Sequence, residues 1–298
     1  MTPDPHVETL EKDEVAKHFT SLSQAYNRKN YFLAGKRAKY PDIFRRHQYI
    51  LEMVERLRGR AMDVGCGSGE MLCELLARGF SVVGIDLSTG MVQASRALVA
   101  QRVPDRHAQI QVGDVEQLGF ADGVFDVVIA AGVIEYLAED DKALAEIHRV
   151  LKPGGTFIFS VHNLLHLGRP LTTTRDLLRM TPIIGSGVAR VSRALRHALN
   201  LAPNNGIPGR RHAPAALRKK LRRMGFVPQE TVFYHFNVTP RFLKRRCPNS
   251  CVRWEERLEI LARTPFGYFA NQFIVRATKA AQTLALLAGT CHGVFVEL

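Results

Sequence analysis

Long apolar runs and paired cysteines are both missing from this sequence. The longest apolar stretch, residues 280–289, is interrupted by Gln282 and Thr283 and falls short of the roughly 18–20 residues that span a bilayer. Five cysteines stand at positions 66, 73, 247, 251 and 291, a pattern that predicts neither a disulfide framework nor a metal site. The first residues are acidic and polar, unlike a secretion signal. A reducing cytoplasm is therefore the expected location.

Acidic residues are scarce in the second half of the chain. Residues 1–159 contain 19 Lys and Arg against 22 Asp and Glu, a balance of −3. Residues 160–298 contain 22 basic and 6 acidic residues, a balance of +16. All of the excess positive charge lies in this half, which predicts contact with an anionic substrate, a nucleic acid or an anionic membrane surface.

Short apolar runs alternate with helical patterns over most of the chain. Seven strands are predicted, at residues 61–64, 80–85, 110–112, 125–129, 156–161, 230–236 and 272–277. Helices are predicted at residues 43–57, 70–78, 88–99, 140–151 and 214–224, and residues 152–155 are predicted to form a turn. Strands that are apolar on both faces and alternate with helices predict an α/β fold with a mostly parallel sheet.

Two stretches lie outside this alternation, at residues 162–213 and 238–270. They follow the fifth and sixth strands, and insertions of this kind commonly determine specificity because the scaffold does not need them. We therefore predict a helical N-terminal cap at residues 1–58 and a main domain at residues 59–298. The two insertions would cover the substrate.

A glycine-rich motif, DVGCGSG at residues 63–69, lies where the first strand meets a helix. Glycines at positions 65 and 67 allow a tight turn and the close approach of a ligand, and the following helix directs free N–H groups at it. The motif lacks the G-x-G-x-x-G dinucleotide fingerprint and the Gly-Lys-Ser/Thr of a phosphate loop. Because no Lys or Arg lies between residues 63 and 76, the loop favours a nucleotide-like ligand that is cationic or carries only a carboxylate.

Acidic residues follow three consecutive strands of the predicted sheet. Asp63 closes the first strand, Asp86 closes the second and Asp114 follows the third. A carboxylate at the end of the second strand can accept both hydroxyls of a ribose. One after the third strand can accept an exocyclic amine, with the neighbouring Val115 covering a ring. Because the carboxyl ends of parallel strands meet at one edge, these residues are expected to line one crevice.

Five segments resemble consecutive sequence blocks of the class I S-adenosylmethionine-dependent methyltransferases. They are AMDVGCGSG, VVGIDLS, VGDVEQLGF, FDVVIAAGVIEYL and EIHRVLKPGGTFIFSV, and they cover residues 60–162. Residues 212–236 resemble the family more loosely. The similarity is greatest to the small-molecule branch that includes ubiquinone, menaquinone and biotin-pathway enzymes. It implies a Rossmann-like seven-stranded mostly parallel sheet with an N-terminal helical cap. It also implies S-adenosyl-L-methionine as cofactor, but it is not specific enough to name a substrate. Our leading hypothesis is methyl transfer to an oxygen or nitrogen of a small molecule: a natural product, quinone or lipid-like acceptor.

The resemblance also implies a set of cofactor-binding residues. Those placed around the methionine portion are Asp63, Gly65, Cys66, Gly67 and Ala131. Those placed around the adenine are Leu87, Met91, Asp114 and Val115. Asp86 would hold the ribose hydroxyls, and Tyr26 or Tyr31 of the N-terminal cap would close the pocket.

Candidates for a catalytic base follow the fourth and fifth strands. Relatives often have Glu-His after the fourth strand, whereas this chain has Glu135-Tyr136, so a histidine base is missing at that position. The remaining candidates are Tyr136, His162 and His166. A base is required only if the acceptor must lose a proton, since methyl transfer otherwise depends on in-line alignment.

The basic second half leaves alternatives open. Residues 186–201 form a basic amphipathic pattern that would lie on an anionic membrane, cover the active site or pack as a lid. An RNA methyltransferase is a second hypothesis, although no recognition motif accompanies the charge, and nucleic acid is not the expected partner. A non-catalytic cofactor-binding or peripheral membrane scaffold is a third. The expected partner is a small molecule, apolar or anionic.

Overall fold

The computed structural model describes residues 12–27, 42–166, 209–239, 243 and 246–281. Several predicted features lie outside these residues. They are Tyr31, the basic pattern at residues 186–201, and most of the insertion predicted at residues 162–213.

A mostly parallel sheet forms the centre of the described fold. In chain order its strands are β1 (Arg60–Val64), β2 (Ser81–Asp86), β3 (Ala108–Val112), β4 (Phe125–Ala131), β5 (Leu151–Asn163), β6 (Arg211–His212), β7 (Phe226–Tyr234) and β8 (Gln272–Lys279). Their spatial order is β3-β2-β1-β4-β5-β8-β7, with β6 paired to the end of β5. Strand β8 is antiparallel to both of its neighbours, and the other pairs are parallel.

The predicted α/β Rossmann-like fold is thereby confirmed. Among the described residues the sheet has eight strands instead of the predicted seven. The additional strand is β6, which has only two residues and no apolar alternation that would mark it in the sequence.

Helices precede and connect the strands. They are α1 (Lys12–Asn27), α2 (Asp42–Val54), α3 (Glu70–Ala77), α4 (Thr89–Arg102), α5 (Asp141–Val150), α6 (Pro214–Arg223) and α7 (Pro248–Arg257). Local signals explain where several of them begin. The Ser88 side chain accepts a hydrogen bond of 3.1 Å from the Met91 N–H and caps α4, and α6 and α7 each begin at a proline. Within the described residues, no helix combines the length and the hydropathy needed to cross a membrane.

Strand β5 begins earlier than predicted. Residues 152–155, expected as a turn, belong to the strand, since Leu151 already pairs with Phe125. The register then shifts before Val127 pairs with Thr156, and Gly154 has a φ of +76°. The expected turn is therefore an irregularity within the strand, because a glycine with positive φ allows the backbone to bulge without leaving the sheet.

The sheet is buried on both faces, as its strand sequences predict. Alternate residues of β1 and β5 belong to different halves of the core: Phe157 and Phe159 pack on the α5 and α6 side. Ile158 packs on the opposite side, with α2 and α3. This division follows from the two-residue periodicity of a strand.

The connection between β7 and β8 carries its own helices. It contains α7 and two 3₁₀ turns, Leu258–Leu261 and Pro265–Phe269. The buried carboxylate of Glu255 accepts hydrogen bonds from the backbone N–H and the hydroxyl of Thr239. The Phe233 N–H donates to the Ala262 carbonyl at 2.8 Å. These bonds fix the connection on the edge of the sheet. The division at residue 58 stays a prediction.

The aromatic packing of β5 makes a stability prediction. Phe157 is fully buried and lies 4.6 Å from Phe159 and 5.5 Å from Phe226, measured between ring centroids. Phe157→Ala is expected to lower the free energy of unfolding by about 3–5 kcal/mol, because it leaves a cavity between sheet and helices. Denaturation in urea measures the change. Phe266→Ala is the control, since Phe266 is 64% exposed, and a loss of similar size there would contradict the assignment of the core.

Candidate functional site

A cavity of about 220 Å³ lies at the carboxyl edge of the sheet, between the strand ends and helices α1 and α2. Its walls come from the segments that follow β1, β2, β3 and β4, and from the end of β5. Strand order reverses between β1 and β4, and ligands of open α/β sheets bind in the crevice that such a reversal creates.

The glycine loop after β1 forms the floor of this cavity. The N–H groups of Gly65 and Cys66 both donate to the Ile85 carbonyl, at 2.7 and 2.9 Å, which fixes the loop on β2. Gly67 has a φ of +53°, and a Cβ on it would meet no protein atom within 4 Å. Such a Cβ would therefore occupy the cavity itself, in space that a ligand can use.

Asp86 is oriented by backbone donors on both of its oxygens. The Gly67 N–H donates to Oδ2 and the Ser88 N–H donates to Oδ1, each at 2.9 Å. Burial raises the pKa of Asp86, and the two N–H donors act in the opposite direction. Each oxygen retains a lone pair, so the carboxylate can accept hydroxyl groups from a ligand without losing its own supports.

Asp114 is already bound by the N-terminal helix. Its Oδ1 accepts from the Glu116 N–H at 2.9 Å, and its Oδ2 lies 2.5 Å from the Lys12 ammonium. Lys12 also lies 2.6 Å from the Glu116 carboxylate. A ligand amine would therefore share Asp114 with Lys12, and α1 is anchored over that end of the cavity.

Glu135 and His162 meet at the other end of the cavity. His162 Nε2 lies 3.7 Å from Glu135 Oε1, and the Glu135 side chain is buried. Burial raises the pKa of Glu135 to about 7, and the nearby Arg46 cation limits the rise. Burial also lowers the pKa of His162 to about 4, assisted by Arg211 and Arg46. Near neutral pH the histidine is neutral, and the carboxyl group changes between its acid and base forms.

Arg46 of α2 is, with Lys12, one of two cations described in the cavity lining. Its guanidinium packs against Gly132, where an added Cβ would collide with it. Its charge lowers the pKa of both Asp63 and Glu135, against the larger effect of burial. Arg46 therefore lies between the loop after β1 and the acidic group after β4.

Most of the predicted site residues lie together on the cavity. Those that line it are Tyr26, Gly65, Gly67, Asp86, Leu87, Met91, Asp114, Val115, Ala131, Tyr136 and His162. These lining residues span positions 26–162, so the fold brings together segments that are far apart in the chain.

Three predicted residues do not line the cavity. The Cys66 thiol faces α4, 3.9 Å from the Ser95 hydroxyl, and burial raises its pKa. Asp63 is buried behind the loop, where burial and the Asp86 charge raise its pKa to about 8. His166 lies beyond the end of β5 and is not part of the lining. The expected contacts of Cys66 and Asp63 with the methionine portion stay predictions. In the structure the Cys66 thiol packs against α4, and Asp63 lies behind the loop.

The sequence analysis missed several residues that line the cavity. They are Lys12, Phe19, Asp42, Arg46, Glu135 and Gln272. Four of them lie on α1 and α2. The sequence pattern of these segments predicts a helix but does not indicate which helix face covers a ligand. Glu135 appeared in the sequence only as the neighbour of Tyr136, which replaces the histidine of relatives, and its burial is evident only in the fold.

The fold and the cavity define a Rossmann-like α/β domain with a ligand-sized crevice at the carboxyl edge of its sheet. Residues 62–159 match the sequence model of the family described as "Methyltransferase domain". The predicted resemblance to class I S-adenosylmethionine-dependent methyltransferases, including the ubiquinone and menaquinone enzymes, is confirmed.

Two curated relatives and one solved structure illustrate the similarity. A ubiquinone/menaquinone biosynthesis C-methyltransferase of Geobacter sp. is 31% identical over 45% of this chain and 59% of its own. A malonyl-[acyl-carrier protein] O-methyltransferase of Serratia marcescens is 30% identical over 51% of this chain and 54% of its own. The chain thus spans little more than half the length of these relatives. The structure of magnesium protoporphyrin IX methyltransferase from Synechocystis, with bound SAH, has a TM-score of 0.56 and 20% identity, covering 91% of this chain and all of that one.

The buried carboxyl group of Glu135 makes a prediction about pH and stability. Its pKa of about 7 lies above the usual 4.5, so the folded protein keeps a proton that the unfolded chain releases at lower pH. The free energy of unfolding therefore falls as pH rises from about 4.5 to 7. In Glu135→Gln the fall between pH 5 and pH 8 is expected to be smaller by about 1–3 kcal/mol. Urea denaturation at both pH values measures it.

Glu139→Gln is the matched control for this measurement, because Glu139 is exposed four residues further along. It should reproduce the pH dependence of the unchanged protein. If Glu135→Gln also reproduces it, the assigned burial and pKa of Glu135 are wrong.

Proposed function

We propose that this protein transfers the methyl group of S-adenosylmethionine to an oxygen or nitrogen of a small molecule that loses a proton in the reaction. The observation that carries the proposal is the cavity itself. It joins a glycine loop and an oriented carboxylate, Asp86, to a buried acid–base pair, Glu135 and His162. The family match over residues 62–159 supports the same reaction.

The cavity fits the proposed cofactor in both shape and charge. Gly67 leaves space that a side chain would fill, and Asp86 offers lone pairs suited to ribose hydroxyls. The lining carries the carboxyl groups of Asp42, Asp86, Asp114 and Glu135, against the cations Lys12 and Arg46. Because the lining carries more carboxyl groups than cations, it favours a ligand with cationic sulfur and ammonium groups and disfavours a polyphosphate.

Each part of the cofactor has residues of suitable chemistry. Leu87, Met91 and Val115 would hold the adenine, with Asp114 accepting its amine. Arg46, beside Gly132, would bind the carboxylate of the methionine portion through its fork of N–H donors. Tyr26 of α1 would close the cavity from above, as predicted from the sequence.

When bound, S-adenosylmethionine supplies an electrophilic methyl group on a positively charged sulfur. Glu135 would accept the proton of the acceptor, because a base with a pKa of about 7 is matched to neutral pH. Neutral His162 keeps a second acceptor beside it without adding a charge. Tyr136 packs edge-on against Phe19, with ring centroids 5.6 Å apart, and this contact excludes water from the same end.

The acceptor is proposed as a small apolar or anionic molecule. Relatives named as C-methyltransferases and O-methyltransferases share the domain. Glu135 could accept a proton from a hydroxyl, an ammonium group or an enol. No RNA-recognition motif accompanies the basic charge of the sequence, which argues against the RNA methyltransferase alternative. The membrane contact predicted at residues 186–201 remains a proposal on residues outside those described.

Cofactor binding is testable through the space at Gly67. Gly67→Val is expected to abolish binding of S-adenosylhomocysteine in calorimetry, because the side chain would fill the cavity. Gly79→Val is the matched control, since Gly79 also has a positive φ, +86°, and no neighbour within 4 Å, but lies outside the cavity. Retained binding in Gly67→Val, or preference of the unchanged protein for NADH or ATP, would contradict the assignment.

Methyl transfer is testable with the full chain, methyl-labelled S-adenosylmethionine and three probe acceptors: an alkyl hydroquinone, a phenol carboxylate and a primary amine. Tandem mass spectrometry locates the transferred methyl on oxygen, nitrogen or carbon. Glu135→Gln is expected to lower kcat/KM by about 100-fold or more and to remove the rise in rate up to pH 7. Cofactor binding without turnover of any probe would favour the non-catalytic scaffold instead.

A further inference from the structure

The connection between β7 and β8 exposes large apolar side chains. Ile260 is 84% exposed, Phe266 64% and Trp254 52%, with Phe269 and Tyr268 also exposed. Among the described residues, every aromatic side chain of this exposure lies between positions 254 and 269. We call the exposed side chains of residues 246–269 the insertion surface. Apolar groups clustered in this way on a folded domain mark an interaction site.

Arginines lie among these apolar groups on one side of α7. The helix buries Cys251 and Glu255, four residues apart, and exposes Arg253, Trp254 and Arg257. These positions follow the helical repeat, so they share a face. Arg246 is exposed just before the helix, which extends the positive charge.

The acidic residues of this segment are turned inward. Glu256 pairs with Arg45 at 3.4 Å, and Glu259 accepts from the Tyr49 hydroxyl at 2.8 Å. Glu255 is fully buried against Thr239. The insertion surface therefore carries positive charge without exposed carboxylates among its described residues.

We propose that the insertion surface docks on an anionic lipid bilayer. Trp and Tyr are favoured at the boundary between headgroups and hydrocarbon, where one part of the ring is apolar and another polar. Arginines beside them attract anionic headgroups, and apolar side chains enter the boundary region. The core of a protein–protein interface is depleted of charged residues. Here, in contrast, Arg253 and Arg257 lie beside Trp254 on the same helical face.

The insertion surface adjoins the end of the cavity that holds His162. Asn163 follows His162 and donates to the carbonyls of Tyr268 and Ala270, at 2.7 and 2.8 Å. Gln272, two residues after Ala270, lines the cavity. A docked membrane would therefore lie beside the acceptor end and present a lipid-like acceptor to it. This consequence rests on the proposed function, whereas docking itself does not.

Vesicle sedimentation of the full chain tests the docking. Binding is expected with vesicles of phosphatidylserine in phosphatidylcholine, and much less with phosphatidylcholine alone. Arg253→Ala with Arg257→Ala should lower the partition coefficient about 30-fold, since each arginine near an anionic surface contributes about 1 kcal/mol. Arg222→Ala with Arg223→Ala removes the same charge from exposed positions on α6 and should leave binding nearly unchanged.

Apolar insertion is tested separately with Trp254→Ser and Phe266→Ser. Both positions are exposed, so the variants are expected to fold, which circular dichroism and thermal melting verify. They should weaken vesicle binding, whereas Val227→Ser, at a 44% exposed position on β7, should not. Equal losses in the α6 and α7 variants would overturn the proposal. The proposal would also be overturned if Trp254→Ser and Phe266→Ser left vesicle binding unchanged. It would equally be overturned if the protein bound no vesicles but self-associated, and if Trp254→Ser abolished that self-association in sedimentation velocity.

Discussion

One carboxylate connects the parts of the site. Asp86 at the end of β2 accepts the N–H of Gly67 from the loop after β1 and the N–H of Ser88 at the start of α4. Because both oxygens are held, the glycine loop, the second strand and the fourth helix keep fixed relative positions. The open face of Gly67 and the remaining lone pairs of Asp86 then point to one ligand space.

The carboxyl groups at and behind the cavity share one electrostatic environment. Asp63 and Glu135 are buried and Asp86 is half-buried, and loss of water raises the pKa of each. Arg46 opposes this effect at Asp63 and Glu135 from a single position on α2. A cationic ligand would stabilise the ionised forms of these carboxyl groups. This is the physical basis for the proposal that the acidic edge of the sheet takes a sulfonium cofactor instead of a polyphosphate, with Glu135 as the proposed base.

The hydrophobic pattern of the sequence was sufficient to locate the central strands of the sheet. Continuous apolar runs identified β1, β2 and β4 within a residue or two, because strands covered on both faces carry no polar alternation. The same logic placed Asp86 and Asp114 at one edge, since parallel strands end together. It failed at residues 152–155, where Lys-Pro-Gly-Gly signals a turn locally but the pairing of Leu151 with Phe125 holds the segment in the strand. The sequence also could not show that the Cys66 side chain packs against α4 while its backbone belongs to the loop.

The sequence by itself determined the fold class, the glycine loop and the edge at which the acidic residues gather, because these follow from local patterns and from the direction of parallel strands. Only the tertiary structure decided that Arg46 and Lys12 enter the cavity, that Glu135 is buried beside His162, and that the acidic residues of the β7–β8 connection turn inward. Such facts depend on which face of a helix meets its neighbours and on how much water a carboxylate loses. Contacts between residues far apart in the chain set both, and no local pattern records them.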